Sequence, residues 1–419
     1  MEINGLSREA ERKYGGLFLM AYAFIAFLVL SPYLGLVFGL WMVIRNVRHV
    51  HWGSISHHPV ALGFAGLALW AGWTASVQGN WISFAASMVL WMYAGFILLL
   101  QEDVLKTEHF FRYGKAVLFF GMISASVGCL QYLEWIPAEK NWFYLIFGLA
   151  GLVPDPEQRI TATFTNANLA GAWFACLAFL ALFYMKEAAG LRKKGVYLFC
   201  AAVFVALLFL TGSRGAFAGF LAGFLVYALY FCRRSLVKIG WVCGGFGLAL
   251  FLMPEWMPRF DVLYGSLADR WLIWQMSWKL YLDHFLQGIG LAGMYFLDPA
   301  LTGYHRYAHA HNTLLSVLME LGTIGGLIFL WMHAFVVKYL WRLGAQNHPL
   351  APLLTAVFVF FVVHGFVDYP LMSPQVGMVY VFVLGMIVRS HREAMGEISP
   401  AFQKGYGWKG KKSKTPGTA

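Results

Sequence analysis

Charge is what this sequence has least of. Only 12% of its 419 residues are Asp, Glu, Lys or Arg, against roughly a quarter in an average soluble protein. A soluble domain with so few charges could not cover its surface with polar groups, which excludes soluble, disordered and collagen-like classes. Cysteine is scarce too: Cys129, Cys176, Cys200, Cys232 and Cys243 all lie in or beside apolar runs, without a CxxC pair. There is therefore no disulfide framework and no cysteine metal site. The sequence has no Walker A loop, which argues against an ATP-driven pump. It has no Asp-x-Asp pair, so a metal-dependent sugar-nucleotide site lacks support.

Apolar residues make up 60% of the chain and aromatic residues 18%, including 17 Trp. Measured against the ~20 apolar residues that a bilayer core demands, the runs predict about twelve transmembrane helices. They lie near 15–31, 33–45, 59–76, 81–100, 115–133, 166–185, 196–211, 215–231, 238–254, 312–337, 350–368 and 375–389. The expected fold is an all-α polytopic membrane protein, one transmembrane domain over residues 1–419. The first run leads directly into the second, so it reads as a retained span and not a cleaved leader.

The formal net charge of +11 has to be read by location. Basic residues collect in alternate gaps and in the 390–419 tail, which places both termini in the cytoplasm. Nucleic-acid binding fits poorly, because these residues sit in short gaps between apolar runs and not on one soluble face. Lys140, Arg159, Arg214, Arg259, Arg270, Lys279 and Arg306 fall on the opposite side, where the insertion rule does not account for them.

Two outside loops are long, roughly 134–165 and 255–311. In the second, Trp271, Trp274, Trp278, Tyr281 and Phe285 recur at 3,4,3,4 spacing. That spacing predicts an interfacial helix near 269–285 whose aromatic face dips into the outer leaflet. A belt anchor and a substrate-contacting role both fit it.

Arg214 stands in TGSRG (Thr211–Gly215) with almost no loop around it. An Arg near membrane depth is costly and calls for a partner. Gly212 and Gly215 permit close backbone approach and Ser213 adds a donor, so the turn suits an anion that a guanidinium grips bidentately. A snorkelling Arg at a helix end is the plainer alternative. Arg270 and Arg306 are further outside cations able to complete a diphosphate cluster.

YHRYAHAHN (Tyr304–Asn312) puts His305, His309 and His311 just before the tenth span. An imidazole titrates near neutrality and suits a general base. Zinc finds less support, since the spacing is not H-E-x-x-H and no Cys or carboxylate stands nearby in sequence. Glu320, nine residues beyond His311, falls on the opposite helix face and reads as a packing carboxylate. Gly322 and Gly326 have small-xxx-small spacing, which predicts a close helix contact. Asn166 and Asn168 in TFTNANLAG (Thr163–Gly171) either bind sugar hydroxyls or cap the sixth span. His364 and Asp368 form an i,i+4 polar pair or a fragment of a proton relay.

TFTNANLAG, TGSRG, DRWLIW and HAHN followed by ELGTIGG together resemble the O-antigen ligase superfamily of bacterial envelope glycosyltransferases. The ligase signature is a His, then Asn, Ser or Gln, nine residues and G-x-x-G. His311, Asn312, Thr313–Leu321, Gly322 and Gly325 meet it. The resemblance implies a multi-pass inner-membrane enzyme with its active site facing the periplasm. It implies a glycan donor carried on undecaprenyl diphosphate and, for the ligase proper, a lipid A–core acceptor. His311 would be the catalytic base, and Arg214 and Arg270 would bind the diphosphate. Asn312, His309, Arg306, Asn166 and Asn168 would be supporting residues. Transfer would be inverting, with no metal, nucleotide or other cofactor, and partners would be membrane lipids and not nucleic acid. O-antigen polymerases and protein O-oligosaccharyltransferases share the donor and stay open as alternatives. A transporter of lipid-linked glycans is the alternative from another class. The oligomeric state is left open.

Overall fold

Ser31 divides the first long apolar stretch. Its extended backbone and its side chain, which accepts from the Leu34 N–H at 3.2 Å, start a new helix that opens on Pro32. A hydroxyl N-cap followed by proline in the first turn is a strong helix start. The stretch therefore forms two helices, α1 (Arg8–Leu30) and α2 (Pro32–Asn46).

The computed structural model describes residues 8–47, 52–101, 107–136, 141–149, 159–231, 263–297 and 309–397. Among these, regular structure is helical and no strand occurs. After α2 come α3 (Pro59–Val77), α4 (Trp81–Gln101), α5 (Thr107–Tyr132), a short α6 (Trp142–Ile146), α7 (Ala167–Glu187), α8 (Leu191–Leu210) and α9 (Arg214–Phe231). The described chain resumes with α10 (Leu263–Asp283), α11 (Thr313–Ala345), α12 (Ala351–Gly365) and α13 (Pro374–Met395). Among the described residues seven helices are long and apolar enough to cross a membrane: α3, α4, α5 from Phe111, α7, α8, α9 and α11. Leu19–Leu30 and α12 are shorter apolar helices. The chain is an all-α, multi-pass membrane protein. The expected span at 238–254, most of the 255–311 loop and the tail beyond 397 lie outside the described residues.

Lipid tails are as apolar as leucine, so helices in a bilayer associate through close packing and not through hydrophobic exclusion. On α9, glycines recur every fourth residue along one edge. A Cβ at Gly219 would lie 2.9 Å from the Phe360 carbonyl oxygen, and one at Gly223 would lie 2.6 Å from that of Ala356. Bare backbone thus lets α9 run against α12, with the start of α9 beside the end of α12.

The small-residue contact expected at Gly322 and Gly326 takes another form. Gly322 interrupts α11 with φ 66° and ψ −169°, outside the helical range. The chain after α10 docks into this break: Thr323 N donates to Phe285 O at 2.7 Å, Ile289 N to Met319 O at 2.9 Å and Gly290 N to Glu320 O at 2.8 Å. A Cβ at Gly322 would overlap the Leu286 carbonyl. The glycine thus serves a positive φ and a backbone–backbone approach. At Gly326 the nearest neighbour of a Cβ is Leu318 of the same helix, not another helix.

Candidate active site

The ends of α7, α9, α11 and α12 meet at one end of the bundle. A Cβ at Gly171 of α7 would lie 3.1 Å from Ser213 Cβ, one at Gly215 of α9 would lie 3.2 Å from the His364 ring, and one at Gly365 of α12 would lie 2.8 Å from Thr313 Oγ1. TFTNANLAG, TGSRG, HAHN and the turn after α12 are consequently neighbours, although they span some 200 positions of sequence.

Asp368 is at the centre. It is buried, and its Oδ1 accepts from the Tyr369 backbone N–H at 2.8 Å. The same oxygen lies 3.1 Å from His309 Nε2 and 3.1 Å from His311 Nδ1, each within hydrogen-bond reach. Oδ2 is 3.7 Å from His364 Nε2. Burial alone would raise the Asp368 carboxyl, but the hydrogen bonds of His309 and His311, with His364 close by, outweigh it and hold the group well below the usual carboxylate range. Asp368 is therefore an anion at neutral pH. An anion at His311 Nδ1 fixes the proton on that nitrogen and leaves Nε2 free to accept one. This carboxylate stands 57 residues beyond His311. The sequence suggested it only as a partner of His364.

His311 has φ 47°, left-handed backbone that a non-glycine residue adopts only when its surroundings impose it. Those surroundings are at hand. Trp274 Nε1 donates to the His311 carbonyl at 3.4 Å. Asn312 caps α11 by accepting from Leu315 N at 2.9 Å, and its amide donates to Phe366 O at 3.0 Å. Asn312 thus joins the start of α11 to the turn that carries Asp368. His309 is half-buried against the same turn, 4.3 Å from His311 between ring centroids. Burial first, then the neighbouring His311 and lastly the positive field of Arg270, lower it from the ordinary imidazole value despite Asp368. It is a neutral neighbour whose proton on Nε2 is shared with Asp368.

Arg270 sits on α10, close enough to act on His309. Arg214 opens α9, next to the Gly215 that packs on His364. Asn166 is the N-cap of α7 through Asn168 N at 2.8 Å, which is the capping alternative. Asn168 Oδ1 accepts from Arg159 at 3.4 Å. Arg306 and His305 lie outside the described residues. The aromatic stripe of α10 is divided. Trp274 bonds to His311 and Tyr281 Oη pairs with Thr323 Oγ1 at 2.9 Å, whereas Trp271, Trp278 and Phe285 are exposed. Ile273, Met276 and Leu280 pack with Ile289, Met294 and Met319. The helix is thus set against α11 by residues outside the stripe as well as within it.

The fold also supplies the carboxylate that sequence proximity lacked for a metal. Ligand atoms of His309, His311 and Asp368 lie within 4.8 Å of one another and could hold a divalent ion.

A family model described as O-Antigen ligase (Wzy_C) matches residues 198–330. Over that segment, about a third of its length, the chain is similar to the O-antigen ligase family. The teichuronic acid biosynthesis protein TuaE of Bacillus subtilis (strain 168) is 24% identical over 208 residues, which is 45% of this chain and 43% of that protein. The match spans less than half the length of that relative.

The matched segment contains Arg214, Arg270, His309, His311 and Gly322, and it ends before Asp368. Below the histidines, Glu320 is buried. Its Oε1 accepts from Ala292 N at 3.1 Å and its Oε2 from the Tyr369 hydroxyl at 3.3 Å. Burial and the Glu320 carboxylate push the Tyr369 phenol well above its ordinary value, so it stays a donor.

Proposed function

We propose that this chain is a glycosyltransferase that moves a glycan from undecaprenyl diphosphate to an acceptor hydroxyl at the periplasmic face of the inner membrane. The observation that carries this reading is Asp368 Oδ1 at 3.1 Å from His311 Nδ1, and the likeness of residues 198–330 to the O-antigen ligase family supports it. His311 Nε2 takes the proton of the acceptor hydroxyl while Asp368 steadies the imidazolium that forms. The hydroxyl oxygen attacks the anomeric carbon, and the bond to the diphosphate breaks on the opposite face, inverting the centre. Arg214 and Arg270 bind the diphosphate and stabilise the charge that gathers on it as it leaves. A diphosphate leaves readily, so the paired carboxylates of a glycosidase are not required.

Lipid A–core is the acceptor in the ligase reading. A second reading, extension of a growing glycan, is favoured by the likeness to a protein named for teichuronic acid biosynthesis. The test is transfer by purified protein in liposomes with the lipid-linked donor, each acceptor in turn, and EDTA present. His311→Ala should abolish transfer without loss of folding, and Arg214→Ala should raise the KM for donor about tenfold or more. Product on lipid A–core identifies a ligase, and lengthening on the carrier identifies a polymerase. An active His311→Ala protein would refute the base assignment, and loss of activity to EDTA that zinc restores would refute the metal-free mechanism.

A further inference from the structure

Glu320 takes no part in the chemistry just described, yet it is a carboxylate with 1% exposure. An unpartnered carboxyl group would be costly there, and this one is tied at both oxygens. Oε1 receives the N–H of Ala292, a non-glycine residue in left-handed backbone at φ 54°. Oε2 receives the hydroxyl of Tyr369, whose own N–H is bound to Asp368 Oδ1 at 2.8 Å. The Glu320 carbonyl takes a further bond from Gly290 N at 2.8 Å. One side chain thus joins three pieces that build the site: the chain that follows α10, the upper part of α11 and the turn bearing Asp368.

We infer that Glu320, acting through Tyr369, is a positioning residue that holds Asp368 against His311 and the segment after α10 against α11. This rests on the proposed transfer reaction. The effect is geometric and does not need the charge of Glu320. The Ala292 N–H can only donate, but a tyrosine hydroxyl can donate or accept. A glutamine at 320 can therefore give its oxygen to Ala292 and its NH2 to the Tyr369 oxygen, keeping both ties. An alanine keeps neither, and a phenylalanine at 369 removes only the tie between Glu320 and the turn that bears Asp368, leaving the backbone bond of residue 369 to Asp368 in place.

The experiment measures kcat and KM for donor and acceptor in the liposome transfer assay for wild type, Glu320→Gln, Glu320→Ala, Tyr369→Phe and His311→Ala, with thermal unfolding of each protein in detergent. Tyr369→Phe should stay folded with a modestly lower unfolding midpoint, keep both KM values and lose about tenfold in kcat, and Glu320→Ala should lose more. Glu320→Gln should stay within about threefold of wild type. Tyr369→Phe, a single-atom change, carries the test if Glu320→Ala does not fold. A Tyr369→Phe protein with wild-type kcat overturns the inference, as does Glu320→Gln falling as far as Glu320→Ala, which would make the charge the active property. In either case a transferring wild type and an inactive His311→Ala protein leave the reaction itself standing. No transfer by wild type overturns both.

Discussion

Replacing Asp368 by asparagine separates the shape of the site from its charge. The amide fits the carboxylate's space, and if its oxygen stays where Oδ1 is, the contacts at 3.1 Å to His309 and His311 and at 2.8 Å to Tyr369 N survive as neutral hydrogen bonds. What disappears is the counter-charge for His311 at the moment it holds the acceptor proton. A hydrogen bond to a charged partner is worth about 1.5–3 kcal/mol, so kcat should fall about 10- to 150-fold. If the NH2 faces the histidines instead, it donates to His311 Nδ1, moves the ring proton to Nε2 and blocks the base, and the loss is larger. Donor and acceptor KM should not move, because Asp368 is buried behind the imidazoles and reaches neither substrate in the proposed reaction. The assay is the liposome transfer reaction under saturating substrates, alongside thermal unfolding of both proteins. An Asp368→Asn protein that keeps kcat within about threefold would refute the assignment of Asp368 as the partner of the base.

Two further outcomes concern stability. Gly322→Ala should lower the unfolding midpoint sharply, by the equivalent of about 2–3 kcal/mol or more, because the new methyl meets Leu286 backbone and the residue is held at φ 66°. Gly66→Ala, whose Cβ would find only Ile328 at 3.6 Å, should leave the midpoint unchanged or raise it slightly. Between α11 and α12, His348 is buried, its Nδ1 accepts from Leu350 N at 3.3 Å, and burial lowers it to about 4. The fold therefore favours neutral His348. Stability from this group is complete above its ordinary value of ~6.5 and is lost as pH falls towards about 4, by roughly 3 kcal/mol in all. Unfolding midpoints taken from pH 7.5 to 4.5 should drop across that window, and His348→Gln should flatten the drop; an unchanged slope would remove His348 as its cause.

The helices were legible because the bilayer imposes a length on apolar runs and because a capping group such as Asn166 marks a start locally. His311 and Asn312 were legible through a short signature. The partner of His311 was not. Asp368 sits 57 residues away, and only the packing of α12 on α9 and α11 carries it to the histidines. Locally it forms an i,i+4 pair with His364, which is the relation the sequence displays. The break at Gly322 was misleading for another reason, since small residues four apart describe a helix contact as well as a kink. What decides between them is the backbone of residues 285–290, invisible until the chain is folded. The same docking explains why Trp274 and Tyr281 leave the aromatic stripe and turn to α11.

The interrupted helix also gives the nine-residue interval in the signature a physical meaning. Asn312 is fastened to Phe366 O at one end and Gly322 is seated on the chain after α10 at the other. The residues between them act as a ruler of about 13 Å and about two and a half turns. One residue more or fewer would rotate one anchorage against the other by about 100° and displace it by about 1.5 Å. The histidine would then swing out of phase with the arginine on α10, even with every side chain retained. Spacing, in this molecule, is a mechanical component of the site.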